Sequence, residues 1–400
     1  MNAQKPPPHQ AYDAAFPPLE KYETMLGEAE AIHGISLWQD AWRRLRRDWV
    51  SMTSLGFLLL LGLLAIITPL LPLQSFKEQD LKRRQFLPPT LSSQVEEPMP
   101  VEAEGVEPET ETQRVSLAIT KYPTDSDEFR RRYGEIWENP NLLDQAMIRA
   151  RLTIFGDWCL PSLCGTDHLG RDMLSRLFWG ARVSLIVGVV ATLVSLLIGV
   201  SYGAISGYAG GWVDDAMMRA VDVMYSVPFI FVVLFLISIL SDDTVKARLA
   251  DYGIDRMVIL YLVIGAIYWL TMARVVRGQI ISLKNEQFVD AARTIGARGG
   301  RIVFLHLVPN VLSVVIVYLT LTIPAVMLFE AFLSFLGLGV EPPNVSWGQL
   351  ANDGLKVITP IRIYWWLVVF PAIALAATLY SLNFLGDGLR DALDPRMKNR

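Results

Sequence analysis

The stretch that decides the reading of this sequence lies between two strongly apolar segments in the C-terminal half. It reads Asp290-Ala291-Ala292-Arg293-Thr294-Ile295-Gly296, and His306-Leu307-Val308-Pro309 follows downstream. Two adjacent alanines shortly before a glycine predict a short helix with a small-residue face, ended by a turn that needs no Cβ. Such a face lets a protein partner approach closely. The stretch is therefore typical of a docking loop and not of an active site.

The composition indicates a membrane protein with sizeable loops outside the bilayer. Of the 400 residues, 52% are hydrophobic and 19% are charged, and the mean hydropathy is +0.34. These values are too apolar for a typical soluble domain and too polar for a chain that lies in the membrane throughout. The net charge of -4 gives no case for nucleic-acid binding.

The cysteines and histidines exclude several kinds of site. Only Cys159 and Cys164 occur, so neither a disulfide-rich scaffold nor a four-cysteine zinc site is expected. We expect both to lie on the oxidising side of the membrane, where a local disulfide is the favoured prediction and two free thiols are the alternative. The histidines lack the paired spacing of a metal enzyme. They are His9, His33, His168 and His306.

The first long apolar run starts near residue 49, so no cleavable signal peptide is predicted. Before it, the segment from Leu37 to Trp49 places its apolar residues on one helical face and its arginines elsewhere. This pattern predicts an interfacial amphipathic helix that leads into the first span. A calmodulin target or a nucleic-acid contact is the alternative for these arginines, and the adjoining apolar run disfavours both.

Six segments are long and apolar enough to cross a bilayer. They are 49–73, 182–205, 221–240, 257–276, 309–331 and 363–386. An even number of spans puts both termini on one side, and the arginines before the first span and after the last favour the cytoplasm. The loop with the paired alanines then lies on the cytoplasmic side as well.

The sequence divides into five predicted regions. These are a cytoplasmic leader with an amphipathic interfacial helix at 1–48, the first transmembrane helix at 49–73, an external loop or small subdomain at 74–181, a five-helix core at 182–386 with a cytoplasmic coupling loop at 277–308, and a cytoplasmic tail at 387–400. Within the external region, the acidic stretch from Gln94 to Gln113 predicts a flexible spacer. The 3.6-residue period from Asp125 to Trp158 predicts helical structure.

Several blocks together resemble the C-type permease subunits of dipeptide, oligopeptide and nickel importers, a branch of the ABC transporter permeases. The blocks are Gly165–Leu185, Gly207–Asp215, Leu333–Gly339 with Trp347–Gly348, and Asn383–Arg396. The stretch from Asp290 to Pro309 resembles the EAA loop of the same permeases, which sits in a cleft of an ATPase subunit. Asp290 stands where that family usually has Glu. The resemblance covers residues 165–396.

The resemblance implies an all-α integral membrane fold, that of a type I ABC importer permease, with six transmembrane helices. The enlarged external loop between helices 1 and 2 departs from the commonest members, so the resemblance says little about residues 77–160. It implies a permease subunit in the bacterial inner membrane that forms, with a second permease, a path for di- or oligopeptides by alternating access. Import of nickel or another small solute is the alternative. The implied partners are a homologous second permease, one or two cytoplasmic ATPases and an external solute-binding protein.

The sequence contains no Gly-x-x-x-x-Gly-Lys-[Ser/Thr] phosphate loop. We therefore expect no cofactor on this chain, no catalytic residue and no metal ligand, and we expect ATP and Mg on the partner ATPases. The resemblance implies that the coupling residues are Asp290, Ala291, Ala292, Arg293, Gly296, His306 and Pro309, with Ala292 facing the partner. Glu330 is a charge in an apolar run near the outer end of the fifth span, which makes it a candidate for a gate or the path.

Two other classes of protein compete with this interpretation. A stand-alone secondary transporter would use its proline-broken helices as a binding site. The sequence shows no inverted repeats and few central charges, and it has the docking loop, which all disfavour that class. An intramembrane enzyme is the other rival, and the spans lack a Ser-His pair or paired aspartates for it.

Overall fold

The computed structural model of this chain is helical throughout its apolar part. It describes residues 37–74, 76–77, 79, 81, 84–89, 94–97, 113–116, 142–155, 159–240, 242, 244–245, 248–249, 256–340, 342 and 344–393. Most of the predicted acidic spacer and residues 125–141 of the predicted helical part of the external region lie outside these residues.

Eleven helices follow one another in the described part of the chain. They are α1 (Leu37–Leu45), α2 (Trp49–Ile67, continued by a 3₁₀ turn at Thr68–Leu70), α3 (Leu142–Phe155), α4 (Met173–Ala209), α5 (Gly211–Ser226), α6 (Phe229–Leu240), α7 (Arg256–Leu283), α8 (Gln287–Thr294), α9 (Gly299–Phe335), α10 (Trp347–Lys356) and α11 (Trp366–Leu393). Within α9, Ile302–Leu307 is π-helical, and α-helical parts at Gly299–Arg301 and Val308–Phe335 flank it.

A two-stranded sheet lies in the region between α2 and α3. Strand β1 (Gln94–Glu97) pairs antiparallel with β2 (Gln113–Ser116), and Gln94 stands opposite Ser116. The predicted all-α membrane fold is confirmed, and this small sheet lies outside the membrane-spanning helices, in the region predicted as an external loop. The sheet joins the two ends of the segment that was predicted as a flexible spacer.

Five helices are long and apolar enough to cross a membrane, and α5 with α6 adds a sixth span when the two are counted together. The five are Trp49–Leu70, Met173–Ala209, Met257–Leu283, Gly299–Phe335 and Trp366–Leu393. The six predicted spans are thus confirmed in number. The segment predicted at 221–240 is not straight, because the chain bends by 83° between Ser226 and Phe229. Pro228 lies in this break and has no N–H to continue the helix.

Several helix ends differ from the predicted bounds. Helix α4 begins at Met173 and not at 182, because the side chain of Asp172 caps it by accepting a hydrogen bond from the Ser175 N–H at 2.7 Å. Helix α7 continues to Leu283 and α9 begins at Gly299, so the predicted coupling loop at 277–308 is largely helical. Helix α11 also continues to Leu393, into the predicted tail.

Helix α4 is central to the packing, and it contacts α2, α7, α9, α10 and α11. Along α7 the two backbones approach closely, because glycines line the shared face of α4. A Cβ on Gly203 would overlap the carbonyl group of Ala273, and Gly199 and Gly207 lie similarly close to α7. Small residues at this four-residue spacing are a common means of packing helices in membranes.

The leader helix α1 has the amphipathic character that the sequence predicts. Ala41 and Leu45 are buried, and they pack with Ala392 near the end of α11. Trp42, which belongs to the same apolar pattern, is exposed. The apolar face of α1 therefore contacts a helix of the same chain.

Candidate functional site: the segment between α7 and α9

Helix α8 forms the centre of the candidate site. It follows α7 after a tight turn in which the Glu286 N–H donates to the Leu283 carbonyl at 3.1 Å. Of the predicted coupling residues, four lie on α8, one lies directly after it and two lie in α9. In this order they are Asp290, Ala291, Ala292 and Arg293, then Gly296, then His306 and Pro309.

One face of α8 is built into the core of the chain. Val289 and Ala292 are buried there, in a cluster that includes Ile280 of α7 and Ile302 and Leu307 of α9. Ala292 is only 4% exposed. The prediction that Ala292 faces a partner is therefore wrong, because its methyl group packs against this chain's own side chains.

The opposite face of α8 carries an exposed apolar stripe. Phe288, Ala291 and Ile295 are all exposed, and their spacing of three and four residues puts them on one side. Ile295 is 85% exposed. Beside the stripe, Arg293 pairs with Asp290 at 3.1 Å. Sequence reasoning identified Ala291 and missed Phe288 and Ile295, although the helical spacing of these apolar residues was a visible signal.

Gly296 ends α8 in a Schellman motif. The Gly296 N–H donates to the Arg293 carbonyl at 2.9 Å, and the Ala297 N–H donates to the Ala292 carbonyl at 3.0 Å. The φ angle of Gly296 is +82°, a left-handed conformation that glycine adopts without a steric cost. The predicted turn at this glycine is confirmed, and it fixes the direction in which the chain leaves α8.

The segment is attached to the end of α4 by polar and aromatic contacts. Lys284 Nζ donates to the Gly207 carbonyl at 3.0 Å. The guanidinium of Arg293 lies 5.9 Å from the ring centroid of Tyr208. Nearby, Arg277 of α7 binds both carboxylate oxygens of Asp214 of α5 at 2.6 Å. The block Gly207–Asp215 thus holds the coupling segment in place.

His306 and Pro309 lie where α9 changes from π-helical to α-helical geometry. Pro309 has no N–H to donate, and the π-helical turn at Ile302–Leu307 directly precedes it. His306 is half-buried, and its carbonyl accepts a hydrogen bond from Asn310 Nδ2 at 2.6 Å. These contacts indicate a structural role for both residues.

The block Gly165–Leu185 forms a tight turn followed by the start of α4. Asp167 is buried between Arg171 at 2.7 Å and Arg176 at 2.5 Å, and Arg176 also reaches Asp353 of α10 at 3.2 Å. These ion pairs join the start of α4 to α10. His168 contributes its backbone carbonyl, which accepts from Gln85 Nε2 at 2.9 Å.

Glu330 lies inside the chain and not on a surface. It is 1% exposed, and its Oε1 accepts a hydrogen bond from Ser334 Oγ at 2.7 Å. Ser334 in turn lies 3.4 Å from Ser346 Oγ, the N-cap of α10. The role of Glu330 in a gate or the path stays a prediction, and its carboxylate lies beside the start of α10 and is closed off from solvent.

The predicted disulfide is not formed, because Cys159 and Cys164 are not bonded to each other. Cys159 Sγ lies 3.4 Å from Arg151 Nη2. Cys164 packs in a different environment, in an apolar cluster with Met173 and Trp366. The prediction relied on closeness in sequence, and the buried positions of the two side chains differ.

In the described part of the chain, no group of three or more His, Cys, Asp and Glu side chains is placed to hold a metal ion. The arrangement of α8 is suited to passing a movement from one protein to another. A short helix is fixed on one face to the ends of several long helices, and it presents a free apolar stripe on the other.

Comparison with known proteins agrees with this architecture. Residues 199–399 match the family described as binding-protein-dependent transport system inner membrane component, and residues 36–89 match the N-terminal TM domain of oligopeptide transport permease C. A dipeptide transport system permease protein of Bacillus subtilis is 35% identical over 93% of this chain and 90% of its own length. An oligopeptide transport system permease protein of Haemophilus influenzae is 46% identical over 58% of this chain and 70% of its own length.

Among solved structures, an inward-facing MetNI methionine ABC transporter matches with a TM-score of 0.43 and 19% identity, over 56% of this chain and 98% of that chain. The family match and the length and identity of the sequence matches are sufficient to assign the family. The chain belongs to the binding-protein-dependent transport system inner membrane components, a family of multi-pass ABC importer permeases.

Proposed function

We propose that this chain is one of two permease subunits of an ATP-driven importer of di- or oligopeptides in the bacterial inner membrane. The two relatives described above are named as dipeptide and oligopeptide transport permeases, which supports peptides over nickel or another small solute as the cargo. The partners are a homologous second permease, one or two cytoplasmic ATPases and an external solute-binding protein. ATP and Mg bind to the ATPases.

The observation that carries the proposal is the two-sided character of α8. Its stripe of Phe288, Ala291 and Ile295 is an exposed apolar surface on a short polar helix, which suits a cleft on another protein. Its other face is fixed in the core through Val289 and Ala292. A partner that moves the stripe therefore moves the adjoining ends of α7 and α9 with it.

This linkage supplies the coupling step of alternating access. When ATP draws the ATPases together, the cleft that holds α8 shifts, and the rigid attachment passes the shift to α9 and to the path. ATP favours one permease conformation only to the extent that the ATPases bind α8 better in that conformation. In this arrangement both termini and α8 lie on the cytoplasmic side, as the arginine distribution favours.

The test is association with the ATPase subunits at matched membrane expression. Ile295→Asp places an unpaired charge in the proposed contact and should weaken capture of the ATPases by roughly tenfold or more. Ile361→Asp is the matched control, since Ile361 is also an exposed isoleucine (92%) but lies in the segment between α10 and α11. Equal capture by both variants would show that α8 is an ordinary connector.

A further inference from the structure

Helix α5 carries a polar stripe on an exposed face. Asp215, Arg219, Asp222 and Ser226 are exposed, and their spacing of four, three and four residues puts them on one side of the helix. The exposed residues of the other side are apolar or small. They are Val213, Ala216, Ala220, Val223 and Met224.

A second polar stripe runs along α7. Thr271, Arg274, Gly278 and Ser282 are exposed at spacings of three, four and four residues. Earlier in the same helix, the exposed residues Leu262 and Ala266 are apolar. The exposed face of α7 therefore becomes polar only in the half that leads to the coupling segment.

An ion pair joins the two stripes. Arg274 Nη2 lies 2.6 Å from Asp222 Oδ1, yet the side chains are 44% and 65% exposed. The guanidinium also lies 4.1 Å from the ring centroid of Tyr225, and the hydroxyl of Tyr225 forms a hydrogen bond with Thr271. Directly after Tyr225, α5 ends at the 83° break that contains Pro228.

Acyl chains are a poor environment for these stripes. Both stripes belong to helices that qualify as membrane spans. Charged groups within a span face the interior of a helix bundle or a water-filled cavity. An apolar face of α5 is available for lipid or for a packed partner. In the two-permease assembly, the polar stripes then face the aqueous path. Binding sites in transporters commonly lie beside broken helices of this kind.

The ion pair suits exchange with a ligand. A solvent-exposed ion pair adds little to stability, so a ligand that offers both charges replaces it at little cost. The planar guanidinium of Arg274 matches a carboxylate, and the carboxylate of Asp222 matches an ammonium group. A peptide with free ends carries one of each.

We propose that Asp222 and Arg274 line the translocation path, where they release each other to bind the ammonium and carboxylate ends of a zwitterionic peptide. The inference rests on the proposed function, and it adds the residues that contact the cargo and the charge pattern that they select.

The test uses the complete complex in proteoliposomes, with a binding protein, and compares a free peptide with its C-terminal amide and its N-acetyl form. Uptake is expressed per molecule of binding protein loaded with that peptide, so the preference of the binding protein cancels. Arg274→Gln should lower the ratio of free to amidated uptake by about tenfold, the value of one charge-assisted hydrogen bond. Asp222→Asn should do the same for the ratio of free to acetylated uptake.

Asp40→Asn with Arg44→Gln is the matched control, since it removes an ion pair of 2.7 Å on α1 and should leave both ratios unchanged. A merely structural role for Asp222 and Arg274 would lower uptake of free and blocked peptides alike. Unchanged ratios in both variants would overturn this inference alone. No ATP-driven peptide uptake by the wild-type complex would overturn the proposed function and this inference with it.

Discussion

At the scale of the residue, two aspartates cap apolar helices, and the fold shifts their pKa values in opposite directions. Asp172 caps α4, and its burial raises the pKa of the carboxyl group to about 6. Asp48 caps α2, and hydrogen bonds from the side chain and backbone of Ser51 hold the pKa of this carboxyl below its usual value. Both caps are aspartate carboxyl groups, and their surroundings determine whether the protonated or the ionised form is favoured.

Asp172 should make the folded protein less stable as the pH rises. The pKa of Asp172 is higher in the folded than in the unfolded chain, so Asp172 contributes fully to the free energy of unfolding below about pH 4. This contribution is lost as the pH rises from about 4 to 6. Asp172→Asn keeps the cap without the charge. The variant should therefore gain stability over wild type above pH 6, by about 3 kcal/mol at most. Thermal unfolding in detergent from pH 4 to 7.5 measures the difference.

Asp48→Asn is the control for this experiment. Its pKa is lowered in the folded chain, so wild type should be the more stable of the two above pH 4 and should lose that advantage in acid. Difference curves of opposite sign would confirm both assignments. A difference between wild type and Asp172→Asn that does not change with pH would contradict the assignment of Asp172.

Which side chains face a partner was only partly predictable from the sequence. The alanines and Gly296 predicted the short helix α8 and the turn that ends it correctly, because local turn chemistry depends on neighbouring residues. The choice between Ala291 and Ala292 depends on how α8 rotates against Ile302 and Leu307, which are tertiary neighbours. The coverage of Glu330 by α10 also depends on contacts between distant segments.

At the scale of the element, the close approach of α4 and α7 determines the shape of the central helix pair. Gly203→Val adds a branched side chain where a single Cβ already overlaps the backbone of Ala273. The helices must then separate, which should destabilise the protein by about 1 to 3 kcal/mol and reduce the amount of stably inserted protein. Gly62→Val on α2 is the control, because no atom lies within 4 Å of its Cβ position. Equal thermal unfolding temperatures for Gly203→Val and Gly62→Val would contradict this role of Gly203.

The helices themselves were well predicted, since long apolar runs identify spans with little ambiguity. The start of α4 was placed too late because Arg176 and Arg182 interrupt the apolar pattern. In the structure, Arg176 pairs with Asp167 and Asp353, and Arg182 pairs with Asp144 of α3. Pro228 was a visible sign of a break, but nothing in the local sequence determines an 83° bend.

At the scale of the whole molecule, the division of labour between chains leads to a further prediction. The sequence has no phosphate loop, so the purified chain alone should release no phosphate from ATP, whereas the complex with its ATPases should. Phosphate release by both preparations measures this. The control is a complex whose ATPase carries a substitution in its own phosphate-loop lysine. Sustained turnover by the isolated chain, at a rate that contaminating ATPase does not explain, would contradict the proposed function.

Helix α4 has 37 residues, which correspond to about 55 Å along its axis. The hydrocarbon core of a bilayer is only about 30 Å thick. The helix therefore exceeds the hydrocarbon core by about 25 Å, which is enough for both of its ends to lie outside the acyl chains. One end lies at the buried ion pairs of Asp167 and the other at Tyr208 beside α8. If binding at one end shifts the conformational equilibrium at the other, the coupling is reciprocal, so a partner at the Asp167 network changes the affinity for the ATPase by the same factor as the ATPase changes the affinity for that partner.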